Sequence, residues 1–206
     1  VPFLPEAVPG DNRVHVPLKG DKKKLVTLSL RNAGNYKTEQ VHLLEAREKG
    51  RNRDIKSRKV LEKLQKDLNM PVLPLHIECF DNSNLQGTHP VAACVVFKNG
   101  LPSKKDYRHF SIKTVEGPDD FASMTEVVTR RYGRLLSENG PLPPLVVIDG
   151  GKGQLSAAFS ALEALHLTPS VTVVGLAKRL EEIYLPTDKT PLFLDKNSSS
   201  LRLIMH

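Results

Sequence analysis

Two carboxylates stand where apolar strands end. Leu145-Val-Val-Ile-Asp149 carries four apolar residues into an aspartate, followed by Gly150-Gly-Lys-Gly153 and a helical pattern. Leu75-His-Ile-Glu-Cys-Phe80 runs into Asp81 in the same way. In open α/β sheets ligands collect outside the carboxyl ends of strands, where loops bring side chains to one point. Two aspartates so placed have the chemistry of a divalent-cation site, with substrate phosphate oxygens and waters completing the shell. A cation would also relieve the repulsion between neighbouring carboxylates. Each residue has a structural alternative: Asp149-Gly150 is a common turn pair, and Asp81 ahead of Asn82-Ser83 suits an Asx-turn. Asp120, in Pro118-Asp-Asp120, is a third carboxylate, at a place where Asp also caps a helix.

The glycine loop at 150–153 suits a phosphate at a helix N-terminus. It lacks the GxxxxGK[ST] spacing of a nucleotide P-loop. Lys152 is therefore a candidate contact to a nucleic-acid backbone, with an exposed turn lysine as the alternative. Lys104, Lys105 and Arg108, and Arg130, Arg131 and Arg134, form two further basic groups. They read either as solvated faces or as a polynucleotide surface around the carboxylate strands. His76, His89 and His109 sit on or beside strands and read as packing or hydrogen-bonding residues. Cys79 and Cys94 lie in strand-like runs without zinc spacing, and read as reduced core residues of a reducing compartment.

Certain elements must position these groups. Asp21 is a plausible N-cap for a helical pattern reaching Lys49, which Gly34 and Asn35 could interrupt. Gly50 to Asp54 reads as a charged link, and Ile55 to Leu68 as a second amphipathic helix. Met70-Pro-Val-Leu-Pro74 breaks the register. Three strands then form an antiparallel meander: 75–80, 91–97 and 106–112, with Asn99-Gly100 as a hairpin signal. A helix from Asp119 or Asp120 to about Glu138 follows, then strand 145–148, a helix from about Gln154 to Leu165, and strand 171–174. Ile183 to Leu185 and Leu192 to Leu194 read as a short hairpin, and Ser198 to Ser200 as the cap of a final helix. This order predicts an α/β, ribonuclease-H-like mixed sheet, three antiparallel strands and then α-β-α-β, in which the first and fourth strands are neighbours. The expected domains are a mostly helical lead-in over 1–70 and a ribonuclease-H-like domain over 71–206.

The chain has 206 residues, 39% hydrophobic and 26% charged, with 30 Lys and Arg against 23 Asp and Glu. The excess of +7 fits a polyanionic partner. No apolar run approaches a membrane span, and there is no signal peptide pattern.

Four stretches carry a family resemblance: Glu78-Cys-Phe-Asp81-Asn-Ser83, Gly117-Pro-Asp-Asp-Phe-Ala-Ser-Met124, Thr129-Arg-Arg-Tyr132 and Ile148-Asp-Gly-Gly-Lys-Gly-Gln-Leu155. They resemble the C-terminal endonuclease half of the UvrC family, the incision subunits of bacterial nucleotide excision repair. Arg13 to Ala33 is similar to the stretch preceding that domain. The resemblance implies a cytoplasmic, metal-dependent endonuclease that uses Mg²⁺ or Mn²⁺ and cuts 5′ to a DNA lesion. It implies catalytic roles for Asp81, Asp149 and Asp120, with Asp81 and Asp149 as metal ligands. Lys105, Arg108, Arg130, Arg131 and Lys152 are the expected DNA contacts. The implied partners are damaged DNA and, through regions outside these residues, UvrB. Asn84 stands where many members carry His. The family's catalytic His follows a Leu-Ile-x-His segment that Leu203-Ile-Met-His206 resembles, so it is expected just past His206, and the 206 residues alone are expected to be inactive. The rival readings are a DNA-binding module without catalysis and a small-molecule phosphotransferase built on the glycine loop.

Overall fold

The computed structural model describes residues 16–83, 91–115, 117–177, 181–188 and 190–205. The readings placed on the stretch before residue 16, on the loop from 84 to 90 with Asn84 and His89, and on His206 lie outside them. The chain divides into two compact units, Val1–Asn52 and Arg53–His206.

Helix α1, Gly20–Asp67, contains no break at Gly34-Asn35 or across Gly50–Asp54. The expected interruptions do not occur because a glycine inside a helix costs only about 1 kcal/mol relative to Ala, and the flanking Lys, Arg and Glu are good helix formers. Within the first unit α1 is exposed along its length. Within the second, Leu61, Leu64 and Leu68 follow a 3–4 spacing and are buried, which makes this end of the helix part of the α/β core.

The remaining elements follow in the expected order, with shifted ends. Strand β1 spans His76–Ser83, so Asp81 lies inside the strand rather than just beyond it. Strand β2, Val91–Lys98, pairs antiparallel with it. Asn99 (φ 53°) and Gly100 (φ 75°) form the two-residue turn into β3, Leu101–Pro102. This left-handed turn matches the twist of a hairpin and favours Asn-Gly. The return strand is not continuous. A 3-10 turn, Lys104–Asp106, separates β3 from β4, Arg108–Ser111, and both pair with β2. Asp106 fixes this turn by accepting from Ser103 Oγ at 2.6 Å and pairing with Lys98 Nζ at 2.7 Å.

Helix α2, Asp120–Ser137, is capped by Asp119, whose carboxylate accepts from the N–H groups of Phe121 and Ala122. Such a cap contributes about 1 kcal/mol. The cap is thus Asp119, and Asp120 is the first helical residue. Then come β5, Leu145–Asp149; α3, Lys152–Ala164; β6, Thr172–Ala177; β7, Glu182–Tyr184; β8, Leu192–Phe193; and α4, Ser199–Ile204, capped by Ser198 Oγ.

The sheet runs β3-β2-β1-β5-β6-β7-β8, with β4 beside β3 on β2. The β1–β5 and β5–β6 pairs are parallel and the others antiparallel. Strand β5 is apolar on both faces because both are covered, as its unbroken Leu-Val-Val-Ile run predicts. One face packs Phe80, Val96, Val146 and Ile148 against Met124 and Val128 of α2 and Leu155 and Leu162 of α3. The opposite face packs Ile77, Phe97, Val147 and Leu176 against Leu61 and Leu64 of α1 and Leu201 and Ile204 of α4. No described helix is long and apolar enough to cross a membrane.

Candidate active site

The sheet register sets the site. Asp81 and Asp149 are direct partners across the parallel β1–β5 pair, on strands about 4.8 Å apart. Because side chains alternate along a strand, Ile77, Cys79 and Asp81 share one face of β1, and Val147 and Asp149 share that face of β5. These residues, with Val95 and Phe97 of β2 and Leu203 and Ile204 of α4, line a cavity of about 240 Å³. It is an apolar cleft with two carboxylates at one end. Asp81 is exposed and Asp149 half-buried, so solvent reaches the pair.

Asp120 is brought to the end of β1 from a distant part of the sequence. Asn82 Nδ2 donates to the Asp120 carbonyl at 3.0 Å, pinning the first turn of α2 beside the strand end that carries Asp81. Lys152 is the first residue of α3 rather than a loop residue, since the turn after Asp149 consists of Gly150 and Gly151 alone. Its ammonium lies 4.9 Å from the Tyr184 ring centroid. Gly151 caps α3 without a side-chain hydrogen bond. The missing Cβ at Gly153 makes room for Phe121: a methyl there would lie 2.4 Å from the ring, which lets α2 and α3 approach closely behind the site.

The expected DNA contacts separate in the structure. Lys105 and Arg108 are exposed, and Arg108 Nη1 donates to the carbonyls of Lys105 and Tyr107. Arg130 donates to the Ser111 carbonyl and to Glu126 at 2.7 Å, and stacks 5.8 Å from the Phe110 centroid. Arg131 is not a surface contact. Its guanidinium forks onto Glu78, Nη2 to Oε1 at 2.5 Å and Nε to Oε2 at 3.2 Å. Glu78 is completely buried, and an unpaired buried carboxylate would be too costly to leave there, so Arg131 is committed to the interior.

The Glu78 cluster is the polar feature that sequence reasoning passed over. Tyr132 donates to Oε2 at 3.1 Å, His76 Nε2 stands 3.2 Å from Oε1, and the Cys94 thiol is 3.7 Å from Oε2. Burial alone would push the Glu78 carboxyl up, but the nearby His76 and the hydrogen bonds and charge of Arg131 overcome it and hold it at about 2. Burial and the neighbouring Glu78 charge push the Cys94 thiol up, and the same two causes raise the Tyr132 hydroxyl well above its usual range. Neither cysteine is in a disulfide. The signal was available: a glutamate in the middle of an apolar strand demands a partner, and Arg131-Tyr132 on an amphipathic helix supplies it. The cluster lies on the α2 face of β1, opposite the face that carries Asp81.

Among the described residues no group of three or more His, Cys, Asp or Glu is gathered as a ready metal cage. What is gathered is a pair of carboxylates open to a cleft. That donor set is oxygen only, which suits hard cations such as Mg²⁺ or Mn²⁺ that retain water and substrate ligands.

A mixed sheet of this order, with paired aspartates on its first and fourth principal strands, defines an α/β domain of the ribonuclease-H-like class. Residues 65–206 match the UvrC RNAse H endonuclease domain, and the chain belongs to that family. UvrABC system protein C of Flavobacterium johnsoniae is 57% identical over 205 residues, covering 99% of this chain and 33% of that protein. The protein of the same name from Porphyromonas gingivalis is 54% identical over 191 residues, covering 93% and 31%. The Bacteroides fragilis protein is 43% identical over 208 residues, covering 99% and 33%. The chain thus spans about a third of the length of the curated relatives it matches. A solved structure, that of human ENDOV, aligns with a TM-score of 0.39 at 11% identity, over 71% of this chain and 86% of that one.

Proposed function

We propose that this chain is the part of a UvrC-type incision subunit that hydrolyses a DNA phosphodiester 5′ to a lesion in bacterial nucleotide excision repair, in the cytoplasm. The carrying observation is the register pairing of Asp81 with Asp149 at the rim of an open cleft. A binding module without catalysis has no need of two like charges side by side, an arrangement that destabilises a sheet. A phosphotransferase built on the glycine loop finds little support, because the turn is only Gly150-Gly151 before α3 begins.

Asp81 and Asp149 would hold Mg²⁺ or Mn²⁺, with Asp120 as a supporting carboxylate. When bound, the cation would supply Lewis acidity toward a phosphate oxygen and make water more acidic. The chain's own residues orient the substrate. Lys152 and the first-turn amides of α3, which have no side-chain cap, suit a backbone phosphate next to Asp149. Lys105, Arg108 and Arg130 would take flanking phosphates. In a repair complex the full-length protein would act with UvrB on damaged DNA.

Metal dependence is tested with the full-length protein on a lesion-bearing duplex. Chelation by EDTA is expected to abolish 5′ incision, and Mg²⁺ or Mn²⁺ to restore it. Incision that persists in EDTA would refute the metal assignment. The third carboxylate is tested through its anchor. Asn82→Ala removes the bond to the Asp120 carbonyl and is expected to cost about 1 kcal/mol of stability. It should also slow incision by roughly 10- to 100-fold, the cost of a small misplacement of a catalytic group. Thermal melting and single-turnover incision measure the two effects, and unchanged incision would remove Asp120 from the site.

A further inference from the structure

The positive charge of the chain is not where the carboxylates are. Helix α1 holds fourteen Lys and Arg against seven Asp and Glu, whereas residues 68–206 hold fourteen of each. The whole excess of +7 is therefore carried by α1. In the α/β body five of the fourteen cations pair locally: Lys98 with Asp106, Arg130 with Glu126, Arg131 with Glu78, Arg134 with Glu138 and Lys196 with Glu181. The body is electrically balanced and gives a polyanion little long-range attraction.

Within the second unit the last turns of α1 have a distinct pattern. Lys56, Lys59, Lys63 and Lys66 are spaced by three, four and three residues, which places them in one line along the helix. All four are exposed. The line faces away from Leu61, Leu64 and Leu68, which anchor this end of the helix in the core. Lys63 pairs with Asp67 at 3.2 Å, while Lys56, Lys59 and Lys66 have no acidic partner among the described residues. The stripe is about 15 Å long at 1.5 Å per residue. The helix packs on the same face of the sheet that carries Asp81 and Asp149. Ser57 and Leu61 of this helix stand beside Gly100, in the turn beyond the His76 end of β1, the end opposite Asp81. A duplex presents one negative charge per about 1.7 Å of its axis, so a stripe of this length faces several phosphates.

We propose that the Lys56–Lys59–Lys63–Lys66 stripe is a DNA-backbone contact that supplies much of the sequence-independent affinity of the domain. This rests on the reading of DNA as the substrate. A compact line of cations on one rigid, core-anchored helix fits a polyphosphate strand.

The test uses the full-length protein with all four lysines changed to Gln. Binding to an undamaged duplex of about 30 base pairs is followed by fluorescence anisotropy over roughly 50 to 200 mM salt. Affinity is expected to fall roughly ten-fold or more, and the log–log salt slope to become shallower by about 3.6, since each neutralised phosphate contributes about 0.9. A Lys→Arg version of the four should restore both, and an unchanged melting temperature shows that the fold is intact. Unchanged affinity and slope in the Gln variant would overturn the proposal. So would a variant that binds DNA normally but loses association with a protein partner. If the unsubstituted protein shows no salt-dependent DNA binding, both this inference and the nuclease reading fall. If Asp149→Asn abolishes incision while the stripe variant binds normally, only the stripe is wrong.

Discussion

Asp149→Asn in the full-length protein is expected to reduce 5′ incision by roughly three orders of magnitude or more, the scale on which loss of one member of a catalytic set acts. Asn keeps the size and one oxygen of Asp, so the end of β5 and the turn into Gly150 should be preserved. Stability should change by no more than about 1 kcal/mol, since the residue faces a like charge on the neighbouring strand. Asp81→Asn should behave in the same way. Binding of Mn²⁺ measured by calorimetry should weaken together with incision in both variants, and DNA binding should survive. Near-normal incision by Asp149→Asn would remove the central residue of the proposed site.

Arg131→Ala is expected to act through the fold instead. It would leave Glu78 charged and fully buried against Tyr132 and Cys94, a change that costs about 3–5 kcal/mol. The double change Glu78→Leu with Arg131→Met should recover much of that loss, because a buried pair gives little net stability over apolar groups of similar size. The pair also predicts an acid limb. The folded-state pKa of Glu78 is depressed to about 2 from 4.5. Its contribution is therefore fully present above about 4.5 and is lost as pH falls through that window toward about 2. Chemical denaturation between these pH values should show a steeper loss in the native protein than in Glu78→Gln. A parallel pH dependence in the two would show that Glu78 is not held ionised by Arg131.

The two variants separate the two faces of β1. Positions 77, 79 and 81 look into the cleft, and 76, 78 and 80 into the α2 layer. One strand thus carries the Asp81 carboxylate on one side and its anchorage on the other. Asn82 extends the anchorage to the helix that carries Asp120.

The sequence by itself determined the element types, their order and the carboxylate pair. Apolar runs ending in Asp81 and Asp149, the Asn99-Gly100 turn and the amphipathic period of α2 are local signals, set by backbone preference and by which faces are buried. The order of three antiparallel strands followed by α-β-α-β was enough to place the first and fourth strands side by side. Tertiary structure alone decided what depends on contacts between distant residues. Arg131 was legible as a cation, but only the packing of α2 on β1 shows that it is spent on Glu78. Asp119 and Asp120 are equivalent in sequence, and the entry angle of α2 makes the first the cap. The joining of α1 across Gly50 rests on helix continuation outweighing a single glycine. The wall of the cleft formed by Leu203 and Ile204 depends on where α4 docks, which no local pattern encodes. Net charge is a sum over the chain, so it could indicate a polyanion without showing that the excess lies on α1, while the domain that bears the carboxylates is balanced.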